Sequence, residues 1–419
     1  MMSGVMLNTA IYGLLRLSFD LLQMRLWWWG GLLLAVGLAT ALFGVVFAAV
    51  QTDMKRLLAY SSIENMGLLF VAMGLALMFS AYGMKPMAAL ALTAALYHVA
   101  SHALFKACCF GNRERAACYA ERSLGKLGGL IRYMPWVGWL TLLGVLASAG
   151  LPPLGGFVSE WLLLQSFLFT PGLPEPILTM LIPVVAALIA LVAALAGYTM
   201  VKFFGVIFLG QPREPKLPHA HDAGRWERAG HAVLALGCIA LGLLRPNCPV
   251  DRSVDTAVGG ERARVRIAAS GWLLAPNGLA QASYGPVIFL LGILASFALA
   301  YLLVRRFYHG RLRRSPPWAC GFPWGTARMQ DTAEGFGQPI RQIFEPFFLM
   351  RRDLPTPFDE QPHYRVTVTD HFWRWLYVPV IDLASYLARL IGLMQQGRIS
   401  AYLLYSFLTL AATLLAVMR

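Results

Sequence analysis

Residues 84–110 read MKPMAALALTAALYHVASHALFKACCF, and their reading decides the fold. As a helix the stretch is long enough to cross a hydrocarbon layer of about 30 Å. Past Lys85 its only charged or titratable groups of note are His98, His102 and Lys106. These stand at i, i+4 and i+8, so a helix stacks them in one column on one face. Ionisable groups at membrane depth are costly, and they face a bundle interior or a water-filled path. Two imidazoles and an amine, about one turn apart, supply what a proton relay needs. The competing reading has each histidine hydrogen-bonding a neighbouring helix while Lys106 reaches along its stem to the interface. Three titratable groups in register favour the relay.

The same character extends outward over the chain. Hydrophobic residues make up 58% of the 419 and charged residues 13%, about half the charged share of soluble domains. Mean hydropathy is +0.59. The expected fold class is all-α, a polytopic transmembrane helix bundle. The net charge of +14 is not a nucleic-acid signature, because most basic residues lie in short loops between apolar segments and act there as topology signals. The lipid bilayer is the expected partner; nucleic acid is not. Cys108, Cys109, Cys118, Cys238, Cys248 and Cys320 form no CxxC pair and no regular spacing, which argues against a disulfide framework or a metal site. There is no flavin or dinucleotide fingerprint either, so no cofactor is expected in this chain. Trp27 to Trp29, Trp136, Trp373 and Trp375 suit interfacial belts.

Apolar stretches lie near 3–19, 26–50, 56–80, 84–110, 133–150, 154–171, 177–209, 229–245, 284–306 and 398–418. Between the fifth and sixth stand Pro152 and Pro153, which lack backbone donors, and Gly155 and Gly156, which let the chain turn. Charge bias decides how this pair is built. Lys55 and Arg56 mark one loop; two crossings later comes the basic loop Asn112 to Arg132, with Arg113, Arg115, Arg122, Lys126 and Arg132. Were 133–171 two full crossings, the loop 211–228 would fall on the opposite face. As one helix broken near Leu151 to Gly156, it keeps that loop and the Arg-rich stretch after Val304 on the basic side. The broken helix satisfies the positive-inside rule throughout and leaves about nine crossings. Non-helical backbone at this depth must be buried in protein or line a polar cavity, and ion-coupled transporters build their sites at such breaks. The long polar stretches are 211–228, 247–283 and 307–397. Within the last, Phe372 to Met394 is expected to lie along the membrane surface as a C-terminal interfacial helix. Met1 and Met2 lead straight into an apolar helix, without a charged n-region or cleavage site. The expectation is a fragment or a late start codon.

Further candidates stand near these features. Glu160 is the lone carboxylate between Glu121 and Glu175, about four residues into the second half-helix. It serves either as a protonatable group or as a partner for free amides at the half-helix start. Thr52 or Asp53 can cap the helix that carries Lys55, Glu64 and Asn65. Lys55 is a transport residue or a topology residue. Glu64 and Asn65, two to three turns in, require polar partners on another helix. Lys202 is a second cationic candidate or a lysine reaching for the interface.

The runs QTDMKRLLAYSSIENMG (51–67), LYHVASHALFKA (96–107) and GLPPLGGFVSEWLLLQS (150–166) resemble the antiporter-like proton-translocating membrane subunits shared by respiratory complex I, Mrp antiporters and membrane-bound hydrogenases. The opening MSGVMLNTAIYGLLR (2–16) is similar to the family's eighth helix. SIEN, PPLxGFVSEWLL, PPWACG and Tyr402-Leu403-Leu404-Tyr405 look most like component B of hydrogenase 4 and the formate hydrogenlyase membrane subunit. The resemblance implies two inverted five-helix repeats, each with a half-channel, joined by an axis of charged residues and water. By motif, Lys106 and Glu160 match the protonatable residues of the second half-channel, and His98 and His102 the histidines that bridge to it. Asn8 stands where the family usually has lysine, and the N-terminal repeat lies outside this sequence, an N-terminal truncation. The resemblance thus implies a translocation core over 1–210, comprising the end of the first repeat and the whole second repeat. Residues 211–419 form a C-terminal extension of further transmembrane helices, a polar loop and a lateral helix. The implied function is translocation of H⁺, or of another cation such as Na⁺, in a bacterial inner membrane. The chain itself would have no catalytic centre and would be coupled to electron transfer in partner membrane subunits and Fe–S or hydrogenase-type peripheral subunits. Two other readings share the motifs: a subunit of an Mrp-type cation/proton antiporter, and an inactive truncated homologue.

Overall fold

A computed structural model describes residues 2–22, 26–111, 122–168, 174–215, 217, 220–243, 284–307, 320–322, 325–327, 329–360, 365–371, 373–394 and 399–417. Arg113, Arg115, Cys118, Cys248 and the whole of the polar stretch 247–283 lie outside these residues. Each of the nine stretches expected to cross falls on helix. The chain opens with a short helix α1 (Leu7–Leu15) between two π-helical turns, Met2–Met6 and Arg16–Leu21. Then follow α2 (Trp27–Val50), α3 (Met54–Ala81), α4 (Lys85–Gly111), α5 (Pro135–Ser148), α6 (Gly155–Phe167), α7 (Pro176–Phe208), α8 (Arg225–Leu243) and α9 (Pro286–Phe307). Seven helices among the described residues are long and apolar enough to cross a membrane.

The centre of the bundle is α3. Asp53 starts it: its carboxylate accepts from Lys55 N at 2.7 Å and Arg56 N at 3.0 Å, an N-cap contributing about 1 kcal/mol. Of the two candidates for this cap, Asp53 fills it. Against α3 lies α2, whose Gly30, Gly37 and Gly44 recur every seven residues; Gly30 meets Gly74 and Gly37 meets Gly67. A Cβ on any of these five would overlap the facing backbone, so the absence of side chains lets the two helices touch main chain to main chain. At Gly44 the facing atom is the amide of Glu64. That contact fixes the height at which Glu64 enters the core.

The interruption between α5 and α6 runs from Ala149 to Leu154. Helices of 14 and 13 residues reach only about 20 Å each, short of a hydrocarbon core. The loops show that the two halves cross once. On one face of the bundle, Leu124 N donates to Thr52 O, Met54 N to Arg122 O and Gly129 N to Leu209 O. Arg213 ties the same face together, donating to Leu127 O at 2.6 Å and to Asp331 O at 2.5 Å; burial lowers its pKa and Asp331 opposes that shift. On the other face Tyr82 closes α3, its phenol pushed up by burial and then by the nearby Glu175 carboxylate. The chain therefore leaves the first face at Pro135, arrives at the second by Glu175 and returns through α7 to Leu209. A hairpin of two full spans would have returned Glu175 to the first face.

The described residues form two compact units, Met1–Ile340 and Arg341–Arg419. In the second, β1 (Phe348–Asp353) and β2 (Arg365–Asp370) pair antiparallel, Phe348 opposite Asp370. This hairpin, inside the polar stretch 307–397, was not legible from the alternation of its residues. After it come α10 (Val378–Met394) and α11 (Ile399–Val417). The segment expected to lie along the surface is helical as expected, and by length and composition Trp373–Gly392 also meets the measure of a span.

Candidate functional site

The column on α4 is buried: His98 is 5% exposed, and His102 and Lys106 are 0% exposed. Four helices pack against α4, namely α3, α5, α6 and α8, with the π-turn before α1. Lys106 Nζ donates to Ser61 Oγ at 2.6 Å. Glu64, one turn further along α3, also hydrogen-bonds Ser61 and lies close enough to Lys106 and Glu160 to interact with both charges. Its Oε2 has no protein partner among the described residues. Ser61 is thus the shared hinge between the amine and a buried carboxylate, in a setting where charges interact far more strongly than in water.

At the other end of the column His98 is held from both sides. Its Nε2 stands 3.1 Å from Asn65 Oδ1 and its Nδ1 2.8 Å from Ser159 Oγ. Asn65 is turned by a bond from its Nδ2 to Ser61 O at 2.6 Å. Between His98 and Lys106 sits His102, its ring 6.4 Å from that of His98 and tilted by 22°. Neither ring nitrogen of His102 has a protein partner among the described residues. The reading in which both histidines merely pin neighbouring helices fits His98 but not His102. Lys106 does not reach for the interface; it is enclosed.

Glu160 is half-buried on α6, next to Ser159. Its carboxylate folds back across the break onto Gly150, whose φ of +62° closes the end of α5. A Cβ there would overlap Oε2 and stand 3.0 Å from Cδ. The carboxylate lies against this turn rather than on the first-turn amides of its own helix. Of the four break residues singled out in the sequence, Pro152 and Pro153 lie in the turn, while Gly155 and Gly156 open α6. At Gly156 a Cβ would overlap Ala147 O, so the two half-helices approach there to within backbone contact.

The other candidates sit elsewhere. Lys55 is half-buried at the start of α3, on the basic face and away from the column. Lys202 is fully buried on α7 and donates to Ala49 O at 2.8 Å and Gln51 O at 2.6 Å. It caps the C-terminal end of α2, where carbonyls lack helical partners, and neither reaches the interface nor joins the column. Asn8 donates to Gly4 O at 2.8 Å and Val99 O at 3.2 Å, tying the first helix to α4 beside His98. Sequence reasoning missed Ser61 and Ser159, ordinary residues whose role appears only through their partners. It also missed His231 of α8, buried with Nε2 2.9 Å from Cys108 O near the end of α4.

Residues 1–190 match the family described as NADH:quinone oxidoreductase/Mrp antiporter, TM. These residues belong to the antiporter-like family. The chain is 32% identical over 429 residues to hydrogenase-4 component B of Escherichia coli K12, a match covering 100% of this chain and 63% of that protein. It is 31% identical over 356 residues to formate hydrogenlyase subunit 3 of the same organism, covering 84% and 55%. A chain of the membrane-bound sulfane sulfur reductase, an archaeal respiratory membrane complex, shares the fold at 22% identity and a TM-score of 0.63, over 92% of this chain and 56% of that one. The chain therefore spans less than two thirds of the length of each. It is a multi-pass membrane protein.

Proposed function

We propose that this chain translocates protons as part of a membrane subunit of a hydrogenase-type or complex I-like oxidoreductase. The observation that carries the reading is the buried column Lys106–His102–His98, which begins at a carboxylate on α3 and ends at Ser159, the residue before Glu160 in the broken helix. Glu64 and Lys106 form a buried acid–base pair through Ser61, able to exchange a proton at small charge displacement. His102, untied to any neighbouring helix among the described residues, passes protons between the amine and His98. Glu160 then takes them at the break, where irregular backbone at membrane depth serves a polar path.

Electron transfer would take place in peripheral Fe–S or hydrogenase-type subunits and reach the column through charge changes along the membrane arm. The names of the relatives support this setting. A bacterial inner membrane, beside other membrane subunits, is where such a chain would act. A proton is favoured over Na⁺ because imidazole and amine bind protons, whereas Na⁺ seeks oxygen ligands. The test is Lys106→Met in the assembled complex, assayed as ΔpH formation in inside-out vesicles. Methionine keeps the length and apolar stem but binds no proton. Translocation is expected to fall at least about tenfold, the loss of a group that transfers protons, while electron transfer to an artificial acceptor persists. Wild-type ΔpH at equal assembly would make the column structural.

A further inference from the structure

We infer that Asn65 and Ser159 are positioning residues that set the tautomer of His98 and couple its protonation to the broken helix. This deepens the translocation reading and rests on it. The neighbours of Asn65 fix which way its side-chain nitrogen and oxygen point. Its amide lies 2.6 Å from Ser61 O, a carbonyl that only accepts, so the near atom is Nδ2 and Oδ1 faces His98. An oxygen at 3.1 Å from His98 Nε2 accepts only, so Nε2 carries a hydrogen. In neutral His98 the free lone pair is therefore on Nδ1, and the proton-binding nitrogen faces α6 and Ser159 rather than Asn65.

Ser159 has one hydroxyl hydrogen and two claims on it. Its Oγ is 2.8 Å from His98 Nδ1 and 2.7 Å from Gly156 O. With His98 neutral, the hydroxyl donates to Nδ1 and leaves Gly156 O. When Nδ1 gains a proton, Nδ1–H donates to Oγ and the hydroxyl swings to Gly156 O. The two arrangements differ by one proton on His98 and one rotation about the Cβ–Oγ bond, and both leave the buried polar groups paired. Gly156 lies where the two half-helices touch, and Glu160 is the next residue after Ser159. Protonation of the column is thus felt at the break through a bond that needs no helix movement.

Of the charged and titratable groups along the column, Lys106 on α4 acts on His98, His98 and Lys106 act on His102, and Glu64 on α3 interacts with Lys106 and with Glu160 on α6. Among the described residues α8 offers His231, engaged near the far end of α4. The test is 15N NMR of histidine-labelled full chain reconstituted in lipid, with His98→Gln assigning the signal. Neutral wild-type His98 is expected to show hydrogen on Nε2. Asn65→Leu, which removes the acceptor, is expected to give a mixed or inverted tautomer. Ser159→Ala is expected to lower the His98 titration midpoint by about one pH unit, because the charged donor loses a stronger bond than the neutral acceptor does. Ser159→Thr keeps the hydroxyl and is expected to restore it. In vesicles of assembled complex, the acid limb of the ΔpH-forming rate should shift with Ser159→Ala and return with Ser159→Thr. A neutral His98 protonated on Nδ1, or a midpoint indifferent to Ser159→Ala, overturns the inference. A wild-type complex that builds no ΔpH overturns the translocation reading instead, and leaves the NMR result to decide this one.

Discussion

At the scale of single residues, the column is a case where spacing predicted chemistry and structure supplied its partners. His98, His102 and Lys106 were legible because a period of four within an apolar run admits one explanation, a shared helical face. Their partners were not legible: Ser61, Asn65 and Ser159 are common residue types, and only the crossing of α3 and α6 over α4 gives them meaning. Glu64 stood between a structural and a functional role in the sequence, and its hydrogen bond to Ser61 joins it to Lys106. That pairing is measurable. Glu64→Gln leaves an ammonium buried without a nearby carboxylate, and removing one member of a buried pair costs roughly 3 kcal/mol. Lys106→Met removes the ammonium itself. The double variant Glu64→Gln/Lys106→Met is therefore expected to melt above Glu64→Gln alone in detergent, with a coupling of about 1 kcal/mol or more. Strictly additive losses would show that Ser61 separates the two charges rather than joining them.

At the scale of elements, the interruption between α5 and α6 was readable from two prolines and two glycines, but its most consequential residue was not among them. Gly150 opens the run GLPPLGGFVSEWLLLQS, and nothing in the run singles it out. The structure gives it a left-handed φ and sets the Glu160 carboxylate where a Cβ on this residue would stand. Nothing in a sequence announces that a side chain ten residues on will fold back over a glycine. Gly150→Ala should cost about 1 kcal/mol of backbone preference and push the carboxylate off its seat. Misplacing a reacting group by about 1 Å lowers rates by up to about a hundredfold. The expected outcome is near-normal membrane abundance with ΔpH formation reduced tenfold or more. Gly197→Ala on α7 is the comparison, because open space surrounds that position and alanine favours the helix there. Equal activity in the two variants would show that the position of Glu160 over Gly150 is immaterial.

At the scale of the whole molecule, the apolar stretches and the side on which each loop falls were legible because both follow from length and charge. Lys202 shows where such rules end. A lysine near a helix end usually reaches for water, yet here the end of α2 lies within its reach and its carbonyls take the ammonium instead. The loop contacts make the topology testable. Lys126 and Gln211 lie on the face that also carries Lys55, Arg56, Arg122, Arg132 and Arg213, joined by the bond from Gly129 to Leu209. Lys85 and Pro174 lie on the opposite face, beside Tyr82 and Glu175. All four labelling positions are exposed. In a chain with its six cysteines replaced, single cysteines at these positions should divide two and two toward a membrane-impermeant maleimide. Lys126→Cys and Gln211→Cys should react in inside-out vesicles, because the basic face is the cytoplasmic one under the positive-inside rule. Lys85→Cys and Pro174→Cys should react in right-side-out vesicles. The decisive position is Pro174, which follows the broken helix. Labelling of Pro174→Cys from the same side as Lys126→Cys would mean that α5 and α6 form a hairpin. Pro152 and Pro153 would then sit in an exposed loop, and Glu160 would lose its place at membrane depth.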